Sequence, residues 1–264
     1  ARVGPASPSL TSLRHSPVAA ALRWQGSLLV GHSMLRPLNF RSAGSRPLRL
    51  EGVLHFPEVE GRLPAAVICH PHPLGGGSMS NGVVVAITRA LASRGVIVLR
   101  FNFRGVGASE GMHDDGRGER DDVAGALDKL LAQPEVDPDR VSLVGYSFGA
   151  CVGLAHAQKD PRVSALAAVG LSLEFCDSGG IHAITEKNEG DTGSATEPLA
   201  FPKLFITGER DQLAPPGQLL KLVEQLPEPK SVEIVPGADH FWWGAEDVVA
   251  ARVASFVTDL SGNY

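Results

Sequence analysis

The chain has 264 residues, of which 43% are hydrophobic and 20% charged, and its formal net charge is −5. This length and composition suit one α/β domain with a substantial core. The weak negative charge provides no broad basic field, which disfavours nucleic acid as a partner. The sequence also lacks an apolar run of about 18 residues, so no transmembrane segment is predicted.

The beginning of the chain differs in composition from the rest. Residues 1–33 are rich in Arg, Ser and Pro, and no Asp or Glu occurs in residues 1–50. We predict that 1–33 is a non-catalytic extension ahead of a domain at 34–264. Its composition is typical of an organellar transit peptide, and a second interpretation is sequence upstream of a natural start at Met34. The predicted location is the cytoplasm, or an organelle if the extension is a transit peptide.

Hydrophobic runs and helical periodicities alternate along the remainder of the chain. Eight strands are predicted near residues 34–40, 48–56, 65–69, 96–103, 140–145, 163–173, 203–207 and 231–235. Five helices are predicted near residues 82–94, 118–132, 148–159, 217–226 and 245–260. This order predicts an α/β fold with a mostly parallel sheet covered by helices on both faces.

One connection is longer than the others. Residues 176–202 are glycine-rich and polar, which is unusual for a packed connection between two strands. We predict a flexible excursion near the site, too short to form a separate cap domain.

A candidate nucleophile follows the fifth predicted strand. Gly145-Tyr-Ser147-Phe-Gly149 lies between apolar residues of strand character and a run with helical spacing. A Gly-x-Ser-x-Gly sequence at a strand–turn–helix junction is typical of a nucleophile elbow, in which the serine hydroxyl is exposed. Ser147 is therefore the predicted nucleophile.

A second Gly-x-Ser-x-Gly match is centred on Ser109 in Gly107–Gly111. A glycine-rich polar run follows it where an elbow requires a helix, so the strand–turn–helix test fails. Ser109 is predicted to be a loop residue.

A serine hydroxyl needs a base, and the base needs an acid that orients it. Asp211 follows the seventh predicted strand and His240 follows the eighth, at the ends where an open α/β sheet forms its ligand crevice. The order Ser147, Asp211, His240 is that of an α/β-hydrolase triad. Glu209 is an alternative acid. Asp239 is next to His240 in the sequence and is poorly placed to reach its imidazole.

The chain resembles the α/β-hydrolase superfamily, and within it the small cap-less serine hydrolases close to dienelactone hydrolases and short-chain carboxylesterases. Five motifs in order carry the resemblance: Cys69–Asn81, Phe101–Gly111, the elbow at Ser147, Gly208–Asp211 and Gly237–His240. The resemblance covers residues 34–264 and implies an eight-stranded sheet without a separate cap domain. Dienelactone hydrolases proper use a cysteine nucleophile, whereas this elbow holds serine.

The developing oxyanion needs two backbone donors. One is expected from Phe148, which follows the nucleophile, and the other from the loop after the third strand. Pro71 and Pro73 have no N–H group, so His72 is the predicted second donor and Leu74 the alternative.

No metal or other cofactor is predicted. His70 and His72 have the spacing of a metal-binding pair, but the sequence offers no third ligand nearby. We predict that His70 is structural, with its ring bonded locally. The three cysteines, at positions 69, 151 and 176, are predicted to be buried free thiols in a reducing compartment.

The predicted function is a serine hydrolase that cleaves small-molecule carboxylic esters of short to medium acyl length through an acyl-enzyme. The alternatives are a peptidase or acyltransferase with the same triad, or a catalytically idle interaction module. A substrate pocket is predicted from four apolar residues, Leu74, Phe175, Trp242 and Trp243, which suit a core equally well. The sequence makes no prediction of the oligomeric state.

Overall fold

A computed structural model of the protein describes residues 28–30, 33–173, 176 and 199–260. Nine strands form one sheet: β1 Leu28–Val30, β2 Ser33–Arg41, β3 Arg49–Pro57, β4 Leu63–Cys69, β5 Ile97–Phe101, β6 Val136–Tyr146, β7 Ala165–Val169, β8 Lys203–Gly208 and β9 Lys230–Val235. The α-helices are α1 Gly82–Ala92, α2 Arg117–Leu131, α3 Phe148–Ala157, α4 Pro216–Glu224 and α5 Glu246–Asp259.

All eight predicted strands and all five predicted helices are present, with boundaries that differ by a few residues. The additional strand, β1, lies within the range assigned to the N-terminal extension and pairs with β2. Of the other residues in that range, only Ser33, the first residue of β2, is described. Most of the predicted excursion at 176–202 is outside them as well.

The sheet is mostly parallel, as the sequence pattern predicts. Its strand order is β1-β2-β3-β5-β4-β6-β7-β8-β9. The first three strands are antiparallel to their neighbours, while β4 to β9 all run in the same direction. The carboxyl ends of β4 to β9 therefore meet at one edge of the sheet, where an open α/β sheet forms a crevice.

Each face of the sheet is covered by helices, because successive side chains of a strand point to opposite faces. In β4, Ala66 and Ile68 belong to the core beneath α1 and α5. Their neighbours Val67 and Cys69 belong to the opposite core, beneath α2, α3 and α4. The described residues form this three-layer architecture without a separate cap domain.

The cysteine prediction was wrong for two of the three residues. Cys151 in α3 and Cys176 form a disulfide, with Cα atoms 5.2 Å apart. Cys69 is free and buried, as predicted. The two bonded cysteines are 25 residues apart in the sequence. This spacing does not show that the chain after β7 returns to α3.

In the ranges that the structure describes, no helix is both long and apolar enough to cross a membrane.

Candidate active site

Ser147 lies at the junction of β6 and α3, between Tyr146, the last strand residue, and Phe148, the first helical residue. Its backbone has φ 55° and ψ −117°, in a region that side-chain-bearing residues rarely adopt. Such a conformation costs about 1–3 kcal/mol and persists only where the surroundings enforce it. Here the Ser147 N–H donates to the Val169 carbonyl of the neighbouring strand at 2.8 Å.

The two glycines of the elbow permit this turn by allowing close backbone approach. A Cβ on Gly145 would collide with the backbone of Gly149 and Ala150. A Cβ on Gly149 would collide with the backbone of Cys69 and His70. The sequence Gly-Tyr-Ser-Phe-Gly thus brings strand, helix and the loop after β4 together.

Three side chains from three strand ends form a continuous chain of contacts. Ser147 Oγ lies 2.9 Å from His240 Nε2. His240 Nδ1 lies 3.0 Å from Oδ1 and 2.9 Å from Oδ2 of Asp211. All three residues are buried. This arrangement can transfer a proton from the serine hydroxyl to the imidazole while the carboxylate faces the opposite nitrogen.

The Asp211 carboxylate is fixed by the loop that follows β8. Its Oδ1 accepts the N–H groups of Leu213 at 2.9 Å and Ala214 at 2.7 Å. Thr207 Oγ1, at the end of β8, lies 3.4 Å from Oδ2 and donates to the Ala214 carbonyl at 2.7 Å. These bonds orient the carboxylate toward His240.

Two residues that sequence reasoning missed adjoin His240. The Tyr146 hydroxyl donates to the His240 carbonyl at 2.8 Å, and burial raises the tyrosine pKa, so the hydroxyl remains a donor. Gly170, after β7, lies against the imidazole, and a Cβ there would come within 3.3 Å of His240 Cε1. The position of Tyr146 inside the elbow is a sequence signal. No sequence signal identifies Gly170, because it lies near His240 only through the position of β7 between β6 and β8.

The rival acids have other partners. Glu209 accepts the N–H of Gly237 at 2.8 Å on the surface. Asp239 Oδ1 accepts the N–H groups of Phe241 and Trp242, both at 3.0 Å, and so shapes the turn that follows. Neither carboxylate occupies the position of Asp211 beside His240.

Ser109 is bonded within its loop. Its hydroxyl donates to the Asn102 carbonyl at 2.7 Å and accepts the Glu51 N–H at 3.1 Å. The first bond lies within the loop after β5, and the second connects this loop to β3, so Ser109 is a loop residue as predicted.

The predicted oxyanion donors lie at the loop after β4 and the start of α3. Phe148 is the first residue of α3, where an amide has no acceptor within the helix. The rings of His72 and Phe148 are in contact, with centroids 4.9 Å apart. The Leu74 N–H donates to His72 Nδ1 at 3.2 Å, so the alternative donor already has an acceptor.

Both ring nitrogens of His70 are occupied. Nδ1 lies 2.7 Å from the Pro71 carbonyl, and Nε2 lies 3.1 Å from the Phe103 N–H. One neutral tautomer satisfies both contacts, and burial lowers the His70 pKa to about 4. In the described part of the chain, no three His, Cys, Asp or Glu side chains are grouped as a metal site requires.

The predicted pocket residues are dispersed. Trp242 is 0% exposed and packs in the core beneath α1 and α5, so its assignment to a pocket was wrong. The Trp242 side chain points into the core after the turn at the end of the His240 loop. The sequence alone does not predict which way this side chain points. Trp243 and Leu74 are 79% and 78% exposed. Phe175 lies outside the described residues.

Known proteins share this architecture. A Coxiella burnetii α/β serine hydrolase homologue superimposes with a TM-score of 0.69 at 30% identity, over 83% of this chain and 96% of that one. The Xanthomonas campestris protein XC6422, a serine hydrolase without a lid, superimposes with a TM-score of 0.66 at 26% identity, over 88% and 96% of the two chains.

Sequence comparison agrees with the structural match. The Rickettsia prowazekii protein RP471 is 30% identical over 206 residues, which are 76% of this chain and 81% of that protein. Residues 46–182 match the model of the X-Pro dipeptidyl-peptidase (S15) family. The matched range includes β4, the Ser147 elbow and α3, while Asp211 and His240 lie beyond it. The chain therefore belongs to the S15 family and, with it, to the α/β-hydrolase superfamily.

Proposed function

We propose that the protein is a serine hydrolase that cleaves carboxylic esters of short to medium acyl length through an acyl-enzyme. The observation that carries the proposal is the contact chain from Ser147 through His240 to Asp211, with separations of 2.9–3.0 Å. A serine on a strained elbow, next to an oriented imidazole, is the arrangement that activates a hydroxyl as a nucleophile.

In the proposed mechanism, His240 Nε2 accepts the Ser147 proton as Oγ attacks the ester carbonyl. The imidazolium that forms is stabilised and oriented by Asp211. It then donates its proton to the leaving alkoxide, which departs as the alcohol. In the second half of the reaction, His240 takes a proton from water as the water oxygen attacks the acyl-enzyme carbonyl. The imidazolium then returns this proton to Ser147 Oγ as the bond between Oγ and the acyl carbon breaks, which releases the acid and restores the free serine.

The negative charge on the carbonyl oxygen requires donors that are already in place. We assign this role to the backbone amides of Phe148 and His72. Phe148 is supported by its position at the start of α3, and His72 by the two flanking prolines and by the existing bond of the Leu74 amide. The absence of a cap domain from the described residues supports access for small esters.

A second candidate function is peptide hydrolysis with the same three residues. The match of residues 46–182 to a family described as X-Pro dipeptidyl-peptidases favours it. An amide is harder to cleave than an ester because its leaving group must be protonated as it departs. The same serine can perform both reactions, so substrate preference separates the two candidates.

Two measurements test the proposal. A fluorophosphonate probe should label the protein once, at Ser147, as identified by peptide mass spectrometry, and Ser147→Ala should abolish the label. The folded protein should then hydrolyse p-nitrophenyl acetate and butyrate with a higher kcat/KM than the palmitate ester or an Xaa-Pro p-nitroanilide. Failure of the probe to react would contradict the serine mechanism. Faster turnover of the anilide would instead favour the peptidase.

A further inference from the structure

His113 lies in the loop between β5 and α2, outside the triad, and its side chain is only 9% exposed. Its ring contacts the rings of both residues whose amides are assigned to the oxyanion. The centroid distances are 4.9 Å to His72 and 5.3 Å to Phe148. With the His72–Phe148 contact, also 4.9 Å, the three rings form a closed triangle.

The loop that carries His113 is fixed by Glu119 in the first turn of α2. Glu119 is completely buried, and its carboxylate accepts the N–H groups of Asp114 and Gly116, each at 2.9 Å. His113 Nδ1 lies 2.8 Å from Glu119 Oε1, although the pair is not aligned as a hydrogen bond. Glu119 therefore fixes the loop whose imidazole contacts the rings of His72 and Phe148.

The two amides differ in what fixes them. The Phe148 amide belongs to α3 and is fixed by the helix. The His72 amide lies in a loop between two prolines, where the His72 ring is positioned by the Leu74 N–H and by the rings of His113 and Phe148. A change in the position of the His72 ring is thus expected to move the His72 backbone.

We infer that His113 is a positioning residue of the oxyanion hole, which acts by packing its ring against His72 and Phe148. This inference rests on the proposed function and adds a residue to its machinery. A misplacement of about 1 Å in a reacting group lowers a rate by about 100-fold, and loss of one oxyanion donor lowers kcat by about 10²–10³-fold. Because His113 acts through neighbours, a loss of about 10–100-fold is expected when its ring is removed.

Ring packing and charge make different predictions for a substitution. The inference assigns the effect to ring packing, while the imidazole also lies 2.8 Å from Glu119 Oε1 and 3.3 Å from Asp115 Oδ1, so a neutral ring separates packing from charge. His113→Phe keeps a ring of similar size without a charge, so it should retain kcat on p-nitrophenyl acetate within about 3-fold. His113→Ala removes the ring, so it should lower kcat by about 10–100-fold with KM changed by less than about 3-fold.

A transition-state analogue provides a readout that a purely structural role would not affect. A trifluoromethyl ketone forms a tetrahedral adduct whose oxyanion occupies the same donors. Its inhibition constant should rise in His113→Ala by the factor by which kcat/KM falls, and should be near the wild-type value in His113→Phe. Circular dichroism and thermal unfolding would establish that both variants are folded.

His156→Ala is the matched control. His156 also lies 2.8 Å from a carboxylate, Asp160, and is similarly buried, but it is located at the far end of α3. The His156→Ala variant should therefore have the same kcat and KM as the wild-type protein.

Wild-type kcat in His113→Ala, an unchanged inhibition constant, or a His113→Phe variant as impaired as the alanine variant would each overturn the inference. Labelling of Ser147 in the wild-type protein tests the proposed function without any change at His113, so failure of that labelling identifies a failure of the proposed function itself.

Discussion

Asp211 faces His240 with both carboxylate oxygens, 3.0 and 2.9 Å from Nδ1, while Glu209, two residues earlier, accepts an amide of the adjacent turn on the surface. Both acids follow the same strand. The turn after β8 directs one of them inward, where the Leu213 and Ala214 amides fix it, and leaves the other exposed. This difference in direction makes the two acids experimentally separable.

Asp211→Asn should lower kcat on a short ester by about 10³–10⁴-fold, because the imidazolium loses its charged partner and the imidazole its orientation. Steady-state kinetics of the purified variant would measure the loss. Glu209→Gln is the control and should stay within about 3-fold of wild type. Equal losses at the two positions would leave the assignment of the acid without support.

Ser147→Ala should lower kcat by about 10³-fold or more with little change in thermal stability, because only the attacking hydroxyl is removed. Ser109→Ala should behave in the opposite way. It removes a buried hydrogen bond within the loop after β5 and a partly buried one between this loop and β3, which should cost about 1–3 kcal/mol of stability and leave activity within about 10-fold. An inactive Ser109→Ala beside an active Ser147→Ala would exclude the elbow serine as nucleophile.

Two buried histidines should make the protein less stable in mild acid. Burial lowers the pKa of both His55 and His70 from 6.5 to about 4. Between these values the unfolded chain binds more protons than the folded chain, so the free energy of unfolding decreases as the pH falls. Urea unfolding at pH 6.5 and pH 5 should show this decrease.

The contribution of His55 can be isolated. His55 Nε2 accepts a hydrogen bond from Arg100 Nε at 3.1 Å, and His55→Gln keeps an acceptor but cannot titrate. The variant should lose roughly 1 kcal/mol less stability than wild type between pH 6.5 and pH 5. An identical pH dependence in the two proteins would show that His55 is not held neutral by burial.

The disulfide between Cys151 and Cys176 should stabilise the fold. Closing a loop of 25 residues contributes about 3 kcal/mol in the chain-entropy model. Replacing both residues by alanine should lower the free energy of unfolding by about that amount. Without reductant, alkylation of the denatured protein should modify one cysteine of the three, and after reduction all three. Modification of three cysteines without reductant would contradict the bond.

The order of the secondary-structure elements could be predicted from the sequence because it depends on local patterns. Alternating apolar runs and helical periodicities identified all eight predicted strands and all five helices. Ser147 and Ser109 could also be distinguished from the local sequence. A helix follows Ser147, whereas a glycine-rich loop follows Ser109. The sequence positions of Asp211 and His240 after two strands placed them at one edge of the sheet, because parallel strands end there together.

Contacts between residues distant in the sequence were decided only by the tertiary structure. Burial of Trp242 depends on the direction in which one turn points its side chain, and the pairing of Cys151 with Cys176 depends on the path of the chain after β7. Gly170 adjoins His240 because β7 lies between β6 and β8. The contacts among the His72, His113 and Phe148 rings bring together the loop after β4, the loop after β5 and the start of α3. No local pattern encodes such contacts, since each requires the packing of the whole sheet.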